Sequence, residues 1–300
     1  MPPKLTIITP AYNEQDCIEP FVQRISGVLD ALPEKPDWNL IFVDNGSKDE
    51  TYDRLAALHK RDPRYRLLRL SRNFGYQGAL CAGLTEAEGD VCGFIDIDCE
   101  DPPELITEFW SHYLQGYQVI YGIRSNRDEP AWMIFFRRMF YLINGLVSDF
   151  GAVQWMAEFG MFTADVRNVL LRQQSSFRFL RTEIAALGFS RIGIPYRRAK
   201  RTIGRTHYNL YGAAKFAVAG ILASSTLPLR IALYLVPLFV LFFLLAITAF
   251  QGVDRIVACL AVVFFYQITT IPMIAIYLAR TYKNTVGFPL FVIDRSRSLC

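Results

Sequence analysis

Residues 91–104, VCGFIDIDCEDPPE, pass from an apolar run into a cluster of acidic residues around two prolines. The apolar part, Val91–Ile97, predicts a buried strand. Asp96, Asp98 and Glu100 lie at alternate positions, and alternate side chains on an extended chain share one face. Three carboxylates on one face repel one another unless a hard divalent cation binds them. The stretch therefore predicts a metal site, and an acidic strand end leading into a helix is the alternative.

Apolar runs that end in polar residues recur before and after this stretch, at Lys4–Thr9, Asn39–Val43, Tyr65–Leu70 and Gln118–Gly122. Segments with apolar residues at helical spacing lie between the early runs, at residues 16–32, 50–60 and 75–87. Strands that alternate with helices predict an α/β fold with a mostly parallel sheet. Such sheets bind ligands at the carboxyl ends of their strands, so we expect the loops after the first, second and fourth strands to line one crevice.

The last third of the chain is strongly apolar. Ile231–Phe250 contains no charged residue, and neither does Ile256–Ala279. Each segment is long enough to cross the roughly 30 Å hydrocarbon layer of a membrane as a helix. Only Gln251–Arg255 separates them, so the sequence predicts a transmembrane helical hairpin, with two buried core helices as the alternative.

Basic residues flank this hairpin on both sides, at Arg230 before it and at Arg280, Lys283, Arg295 and Arg297 after it. Positive residues concentrate on the cytoplasmic side of a membrane. We therefore expect an integral membrane protein whose large N-terminal part faces the cytoplasm. The formal net charge of +4 does not predict nucleic-acid binding, because anionic lipid headgroups account for a mild basic excess more simply.

Two further segments have the character of juxtamembrane amphipathic helices. Residues 131–143 are aromatic and apolar with two central arginines, which suits a helix lying in the membrane interface. A core helix of the soluble part is the alternative. Tyr208–Leu227 has Lys215 as its only charge and is expected on the membrane surface, since a lysine near the middle of a span is costly.

Five motifs together resemble a known family: Pro10-Ala11-Tyr12-Asn13-Glu14, Asp44-Asn45-Gly46-Ser47, Arg72-Asn73-Phe74-Gly75, Asp96-Ile97-Asp98 and Asp101-Pro102-Pro103-Glu104. In this order they resemble the family 2 glycosyltransferases, whose GT-A fold is Rossmann-like. The predicted hairpin narrows the likeness to the membrane-anchored polyprenyl-phosphate glycosyltransferases, which include dolichyl-phosphate mannose synthase and the undecaprenyl-phosphate glucosyl- and aminoarabinosyltransferases. The resemblance covers almost the full chain.

The resemblance implies a fold, a reaction and a division of the chain. Residues 1–127 would bind the nucleotide sugar, residues 128–230 would form the acceptor side, residues 231–279 would be the transmembrane pair and residues 280–300 a cytoplasmic tail. The reaction would be transfer of a sugar, with inversion, from a UDP- or GDP-sugar to a polyprenyl phosphate of the bacterial inner membrane. A tetramer is also implied by the relatives. A polysaccharide synthase of the same superfamily and a nucleotide-sugar-binding protein without catalysis are the alternatives.

The resemblance also assigns donor and metal roles to residues. The donor nucleotide sugar would be bound by Pro10, Tyr12, Glu14, Asp44, Asp96, Arg201 and Arg205. Asp44 would accept a hydrogen bond from the base, and a turn or helix-cap role is the alternative. Mg²⁺ or Mn²⁺ would be held by Asp96, Asp98 and Glu100, with Glu100 standing where relatives often carry Gln.

The acceptor is a lipid monophosphate, which is largely dianionic at neutral pH and needs positioning rather than a general base. Arg124, Arg127 and Arg138 are the expected phosphate-binding residues, since a guanidinium pairs with phosphate in a bidentate way. Solvated or headgroup-contacting arginines are the alternative.

Two positions depart from the family pattern. Ala157-Glu158-Phe159-Gly160-Met161 stands where relatives show Gly-Asp-Phe-Arg-Leu, so the acid is kept as Glu158 and the arginine is lost. Glu158 is expected, with Asp98, among the catalytic residues, and a structural ion pair is the alternative. In the basic loop at residues 201–208, His207 replaces the usual lysine and Arg205 would supply the charge.

Overall fold

A computed structural model describes residues 2–126, 139, 156–173, 175, 178–199 and 225–299. Seven strands are described: β1 (Lys4–Ala11), β2 (Asp37–Asp44), β3 (Tyr65–Arg69), β4 (Val91–Phe94), β5 (Val119–Asn126), β6 (Met156–Thr163) and β7 (Arg191–Arg197). Six helices accompany them: α1 (Ile18–Asp30), α2 (Thr51–Arg61), α3 (Gly75–Glu86), α4 (Leu105–Leu114), α5 (Ala164–Arg172) and α6 (Leu180–Ala186). Three more follow toward the C-terminus: α7 (Leu227–Tyr234), α8 (Val236–Ala249) and α9 (Gly252–Val286).

The strands form one sheet in the order β3-β2-β1-β4-β6-β5-β7. The pairs among β1 to β4 are parallel, and β6 runs antiparallel to both β4 and β5. The chain moves outward from β1 to β3 and then returns to place β4 on the other side of β1. The loops after β1 and β4 therefore diverge at a topological switch point, where α/β sheets bind ligands.

Alternate strand residues point to opposite faces of the sheet, as the two-residue period requires. In β1, Leu5 and Ile7 pack into the core that α1, α2 and α4 cover, whereas Ile8 packs into the core beneath α3, α5 and α6. In β2, Phe42 and Val43 divide between the two cores in the same way. The predicted α/β fold with a mostly parallel sheet is therefore confirmed, as three layers of helix, sheet and helix.

The predicted length of the fourth strand is wrong. β4 ends at Phe94, and residues 97–99 form a turn in which Cys99 has a φ of 56°. Asp98 Oδ1 accepts a hydrogen bond from the backbone N–H of Glu100 (3.1 Å), a local contact that competes with extended backbone. The acidic side chains are therefore arranged by a turn, and the expected alternation along a strand does not apply to them.

Two apolar helices, Leu229–Ala249 and Gly252–Val286, are long and apolar enough to cross a membrane. They pack antiparallel as a hairpin with a shorter connection than expected, because α9 already begins at Gly252. Phe239 and Tyr266 lie edge to face with ring centroids 5.2 Å apart, and the Tyr277 hydroxyl donates to Ser225 O (2.7 Å). At about 1.5 Å per residue, α9 is about 52 Å long and extends well beyond a hydrocarbon layer.

The chain returns to the sheet after α9. The predicted boundary at residue 280 falls inside this helix, which ends with Gly287 in the left-handed conformation (φ 69°). Residues 288–299, here called the C-terminal strap, then run antiparallel along β3, with bridges Leu67–Leu299 and Leu70–Ile293. The amide of Leu67 donates to Leu299 O (2.7 Å), and the amide of Ser71 donates to Val292 O (3.0 Å). The strap therefore covers the otherwise open edge of the sheet.

Replacing residues 288–299 with a Gly/Ser segment of the same length removes Leu290, Phe291 and Ile293, whose packing holds the strap against the core, so its carbonyls should no longer stay in place opposite the Leu67 and Ser71 amides. We expect their hydrogen exchange to accelerate at least about tenfold, since exposed backbone bonds open locally, while β1 amides stay protected. Exchange measured by mass spectrometry on the purified protein checks this. Unchanged protection at Leu67 and Ser71 would show that the strap does not protect this edge.

Candidate active site

The loops that follow β1 and β2 are joined by hydrogen bonds. The backbone N–H of Asn13 donates to Ser47 Oγ (3.0 Å), and Asn13 Oδ1 accepts from the amide of Lys48 (2.9 Å). Asn13 adopts a φ of 55°, a conformation that Asn tolerates better than most residues. The amide of Asn45 also donates to Ala11 O (2.9 Å). The two loops therefore form one continuous surface at the carboxyl end of the sheet.

Asn45 and Gly46 join the loop between β3 and α3 to this surface. Asn45 Oδ1 accepts from the amide of Phe74 (2.9 Å), and Asn45 Nδ2 donates to Gly75 O (3.1 Å). Gly46 has a φ of +76°, and a Cβ at this position would lie 2.6 Å from the carbonyl carbon of Arg72. The Asn-Gly pair is needed here because the two loops approach too closely for any side chain.

The predicted donor residues of the first loop lie on this surface. Pro10 is in register with Val43 of the neighbouring strand, and Tyr12 is half-buried. The amide of Glu14 donates to Thr51 Oγ1 (2.9 Å) at the start of α2. Their roles toward a nucleotide stay predictions.

Asp44 is fully buried at the end of β2. Its Oδ1 accepts from the amide of Ser47 (3.0 Å), and its Oδ2 pairs with Arg69 at the end of β3. Arg69 also donates to Ser47 O (3.0 Å), so one guanidinium fixes both the carboxylate and its turn. These contacts are those of a turn residue, which is the alternative role that the sequence analysis gives for Asp44. The role of Asp44 toward a base stays a prediction.

The loop after β4 lies against α3. The Tyr76 hydroxyl donates to Asp96 Oδ1 (2.7 Å). Burial of the carboxyl, together with the charges of Asp101 and Asp98, raises the pKa of Asp96 to about 7. Asp96 is thus a carboxylate in surroundings that disfavour its negative charge, and a nearby cation would stabilise it.

Asp101 joins this loop to the other half of the sheet. It is buried, with the Tyr196 hydroxyl donating to Oδ1 (2.6 Å) and Arg124 Nη2 donating to Oδ2 (2.9 Å). Arg124 Nε in turn donates to the Tyr196 hydroxyl (3.0 Å). Burial disfavours the charged guanidinium, but Asp101 and the other acidic neighbours raise the pKa of Arg124 above its usual value. Arg124, expected at the acceptor phosphate, is therefore held by Asp101 in this state, and its phosphate role stays a prediction.

A cation already lies among the predicted metal ligands. Arg198, directly after β7, places Nη1 2.7 Å from Glu100 Oε2, Nη2 3.8 Å from Asp98 Oδ2 and Nε 3.3 Å from Asp101 Oδ1. No three acidic, histidine or cysteine side chains among the described residues lie close enough to hold a metal ion. The carboxylate oxygens suit Mg²⁺ or Mn²⁺ in chemistry, and the position of a guanidinium among them indicates where positive charge is favourable.

Glu158, on β6, faces α3 and α6. Gln77 Nε2 donates to Glu158 Oε1 (3.0 Å), and Gln77 Oε1 accepts from the amide of Leu180 (3.0 Å). Glu158 Oε2 is buried with no hydrogen-bond partner among the described residues. Burial raises the pKa of Glu158, against the attraction of Arg181 and the Gln77 hydrogen bond. Arg181 supplies positive charge near the acid.

Several predicted residues lie outside the described residues, namely Arg127, Arg138, Arg201, Arg205 and His207. The same is true of residues 131–143 apart from Met139, and of residues 208–224. Among the described residues, the structure joins the loops of β1, β2 and β3 by hydrogen bonds and joins the β4 loop to α3, β5 and β7.

A family model provides the first comparison with known proteins. The model of glycosyl transferase family 2 matches residues 6–169. The chain belongs to glycosyl transferase family 2. The matched region includes β1 to β6 and therefore every loop described above except the segment after β7.

Relatives in this family match along nearly the whole chain. A Synechocystis glycosyltransferase of uncharacterised activity is 30% identical over 303 residues, covering 97% of this chain and 95% of its own. The prophage bactoprenol glucosyl transferase homolog of Escherichia coli is 27% identical and covers 97% and 99%. An undecaprenyl-phosphate 4-deoxy-4-formamido-L-arabinose transferase of Edwardsiella ictaluri is 27% identical and covers 97% and 93%.

A solved structure supports the fold assignment. Glucosyl-3-phosphoglycerate synthase from Mycobacterium tuberculosis, in complex with Mn²⁺, UDP and phosphoglyceric acid, has a TM-score of 0.50 and 20% identity. The match covers 74% of this chain and 78% of that chain. At this identity the likeness concerns the fold, and it agrees with the predicted GT-A architecture.

Sequence reasoning missed several residues of the site: Tyr76, Gln77, Arg181, Tyr196 and Arg198. Tyr76 and Gln77 follow the Asn73-Phe74-Gly75 motif directly, so their position at the start of α3 was a usable signal. Tyr196 lies in β7 and Arg198 directly after it, and the sequence analysis did not identify this strand. Nothing in their spacing connects them with residues about a hundred positions earlier.

Gly46→Ala should destabilise the protein by about 1–3 kcal/mol, because the residue is forced into a left-handed conformation against the Arg72 backbone. Gly27→Ala is the matched control, since Gly27 is exposed on α1 and a Cβ there meets nothing within 4 Å. That control should be stabilised by about 0.5–1 kcal/mol. Thermal unfolding of the purified variants checks both, and equal effects would contradict the close approach at Gly46.

Glu158→Gln should stabilise the fold in a pH-dependent way. The raised pKa means that the folded state binds a proton at Glu158 more readily than the unfolded state, so wild-type stability falls as pH rises through the folded pKa. The amide carries no charge to bury, so the variant should exceed wild type by about 1–3 kcal/mol near pH 8 and by less near pH 5. Melting curves at both pH values test this, with exposed Glu108→Gln as a control showing no pH-dependent difference.

Proposed function

We propose that this protein is an inverting glycosyltransferase that moves a sugar from a UDP- or GDP-sugar to a polyprenyl phosphate at the cytoplasmic face of a bacterial inner membrane. The observation that carries the proposal is the meeting of the loops after β1, β2 and β4 at the switch point of a family 2 domain joined to an apolar helical hairpin. Relatives named for transfer to bactoprenol and to undecaprenyl phosphate support the choice of acceptor.

The reaction is a single displacement. A phosphate oxygen of the lipid attacks the anomeric carbon of the sugar, the bond from that carbon to the diphosphate oxygen breaks, and a nucleoside diphosphate leaves. Attack from the opposite side inverts the configuration. Because the lipid phosphate is largely dianionic at neutral pH, it needs no residue to remove a proton. The protein contributes positioning and charge stabilisation.

Residues of the described site divide between donor and acceptor. Pro10, Tyr12 and Glu14 form the donor side with Asp44, whose buried ion pair with Arg69 keeps the loop after β2 in place. Asp96, Asp98 and Glu100 would hold Mg²⁺ or Mn²⁺, which would neutralise charge on the departing diphosphate. Glu158 is held by Gln77 at the start of α3, and a sugar hydroxyl would complete its buried Oε2, which has no hydrogen-bond partner among the described residues.

Arginines would serve the acceptor phosphate. Arg124 is the described member of this group, and Arg127 and Arg138 complete it in the proposal. Arg201 and Arg205 would cover the donor diphosphate from the segment after β7. With the apolar hairpin in the membrane, this site would be near the lipid surface where a polyprenyl phosphate is presented.

Transfer of radiolabelled sugar from nucleotide donors into purified undecaprenyl phosphate, with Mg²⁺ or Mn²⁺ present, tests the proposal. We expect one labelled sugar per lipid, with the anomeric configuration opposite to that of the donor. Asp98→Asn should lower transfer at least about 100-fold, because charge stabilisation of a diphosphate by a metal is worth several kcal/mol. Asp165→Asn, at an exposed position on α5, is the matched control and should transfer normally.

Two outcomes would contradict the proposal. Full transfer by Asp98→Asn would contradict a metal role for the loop that carries Asp96, Asp98, Glu100 and Asp101, here called the acidic loop. A polymeric product in the mass spectrum would replace the single-transfer reaction with polysaccharide synthesis.

A further inference from the structure

Arg198 makes contacts that differ from those of an ordinary structural ion pair. Its guanidinium is spread over three carboxylates, with a short contact to Glu100 (2.7 Å) and longer ones to Asp101 (3.3 Å) and Asp98 (3.8 Å). Each of these side chains is less than a quarter exposed. One guanidinium therefore contacts three carboxylates, and two of them, Asp98 and Glu100, are predicted metal ligands.

We propose that Arg198 is an internal counter-ion at the site of the divalent cation, so that Arg198 and the metal cannot bind the acidic loop at the same time. The inference rests on the proposed function only in assigning the ion to a donor diphosphate. The exclusion itself requires no sugar and no lipid.

The hydrogen bonding of Arg198 at this site is incomplete, which favours replacement of its guanidinium by a metal ion. Its buried Nε has no hydrogen-bond partner among the described residues, although Asp101 Oδ1 lies 3.3 Å away. Asp101 already accepts from Tyr196 and Arg124 and gains little from a third donor. A buried donor without a partner is unfavourable, whereas a metal ion accepts oxygen ligands from several directions.

The charges of the cluster point the same way. Arg198 pairs with Asp98, Glu100 and Asp101, and Arg124 pairs with Asp101. Exchanging Arg198 for a divalent ion adds one positive charge to the cluster.

Movement of Arg198 would also affect the chain that follows it. The amide of Ala199 donates to Glu100 O (2.8 Å), so the segment leaving β7 is attached to the acidic loop by this backbone bond and by the Arg198 side chain. Displacing the guanidinium removes the side-chain attachment and leaves the backbone bond of Ala199.

Direct binding of Mn²⁺ to the full-length protein in detergent, without donor or lipid, tests the inference. Free Mn²⁺ is measured by electron paramagnetic resonance during titration. Arg198→Gln should bind Mn²⁺ at least about tenfold more tightly than wild type, because a competing positive charge at the metal site is removed. Arg197→Gln is the matched control, since it removes the same charge from the exposed neighbouring residue, and it should bind as wild type does.

Two further variants keep the test decisive. Arg198→Lys retains the charge without the planar fork and should give an intermediate affinity, which guards against misfolding of the glutamine variant. The double variant Arg198→Gln, Asp98→Asn should lose the gain, which places the ion at this loop. Equal Mn²⁺ affinity in wild type and Arg198→Gln, or no Mn²⁺ binding by either, would overturn the proposal.

The outcomes are separable from those of the proposed function. A gain of Mn²⁺ affinity in Arg198→Gln, with no sugar transfer by wild type from any donor, would support the counter-ion role of Arg198 and contradict the transferase assignment. Sugar transfer by wild type with unchanged Mn²⁺ affinity in Arg198→Gln would support the transferase assignment and contradict the counter-ion role.

Discussion

Neutralising the acidic residues after β4 is the constraint on which the rest of the site depends. Carboxylates taken out of water must be paired with cations or hydrogen-bond donors, or they lose their charge. The donors come from the far half of the sheet, with Arg124 on β5, Tyr196 on β7 and Arg198 just after it. This requirement ties strands that are distant in sequence to the loop after β4. The same contacts give the region past the switch point a fixed position relative to β1.

The predictable part of the fold was the part governed by local pattern. The strands β1 to β5 and the apolar hairpin follow from runs and periods within short windows, and both were identified. β6 and β7 were missed because Met156–Thr163 mixes Gly, Ala and Glu with its apolar residues, and its place in the sheet is set by pairing with β4 and β5. The site residues divide similarly: the acidic loop is visible in sequence, whereas Arg198 becomes a partner of Glu100 only through the sheet order.

The hydrogen bond from Gln77 satisfies only one of the two buried carboxylate oxygens of Glu158. Gln77 uses both ends of its amide, one on Glu158 and one on the amide of Leu180 at the start of α6. The second carboxylate oxygen is left without a partner inside the protein. Unsatisfied buried groups of this kind are uncommon in folded proteins, and each calls for an explanation such as a catalytic role or a bound ion.

The C-terminal strap has a consequence for the order in which the protein is made. Residues that complete the edge of β3 lie after α8 and α9, more than 220 positions later in the chain. A ribosome adds about 5–20 residues per second, so β3 waits about 10 to 45 seconds for its last neighbour while the apolar helices emerge. The sheet is therefore completed only after the apolar hairpin has been synthesised, so formation of the hairpin precedes completion of the sheet.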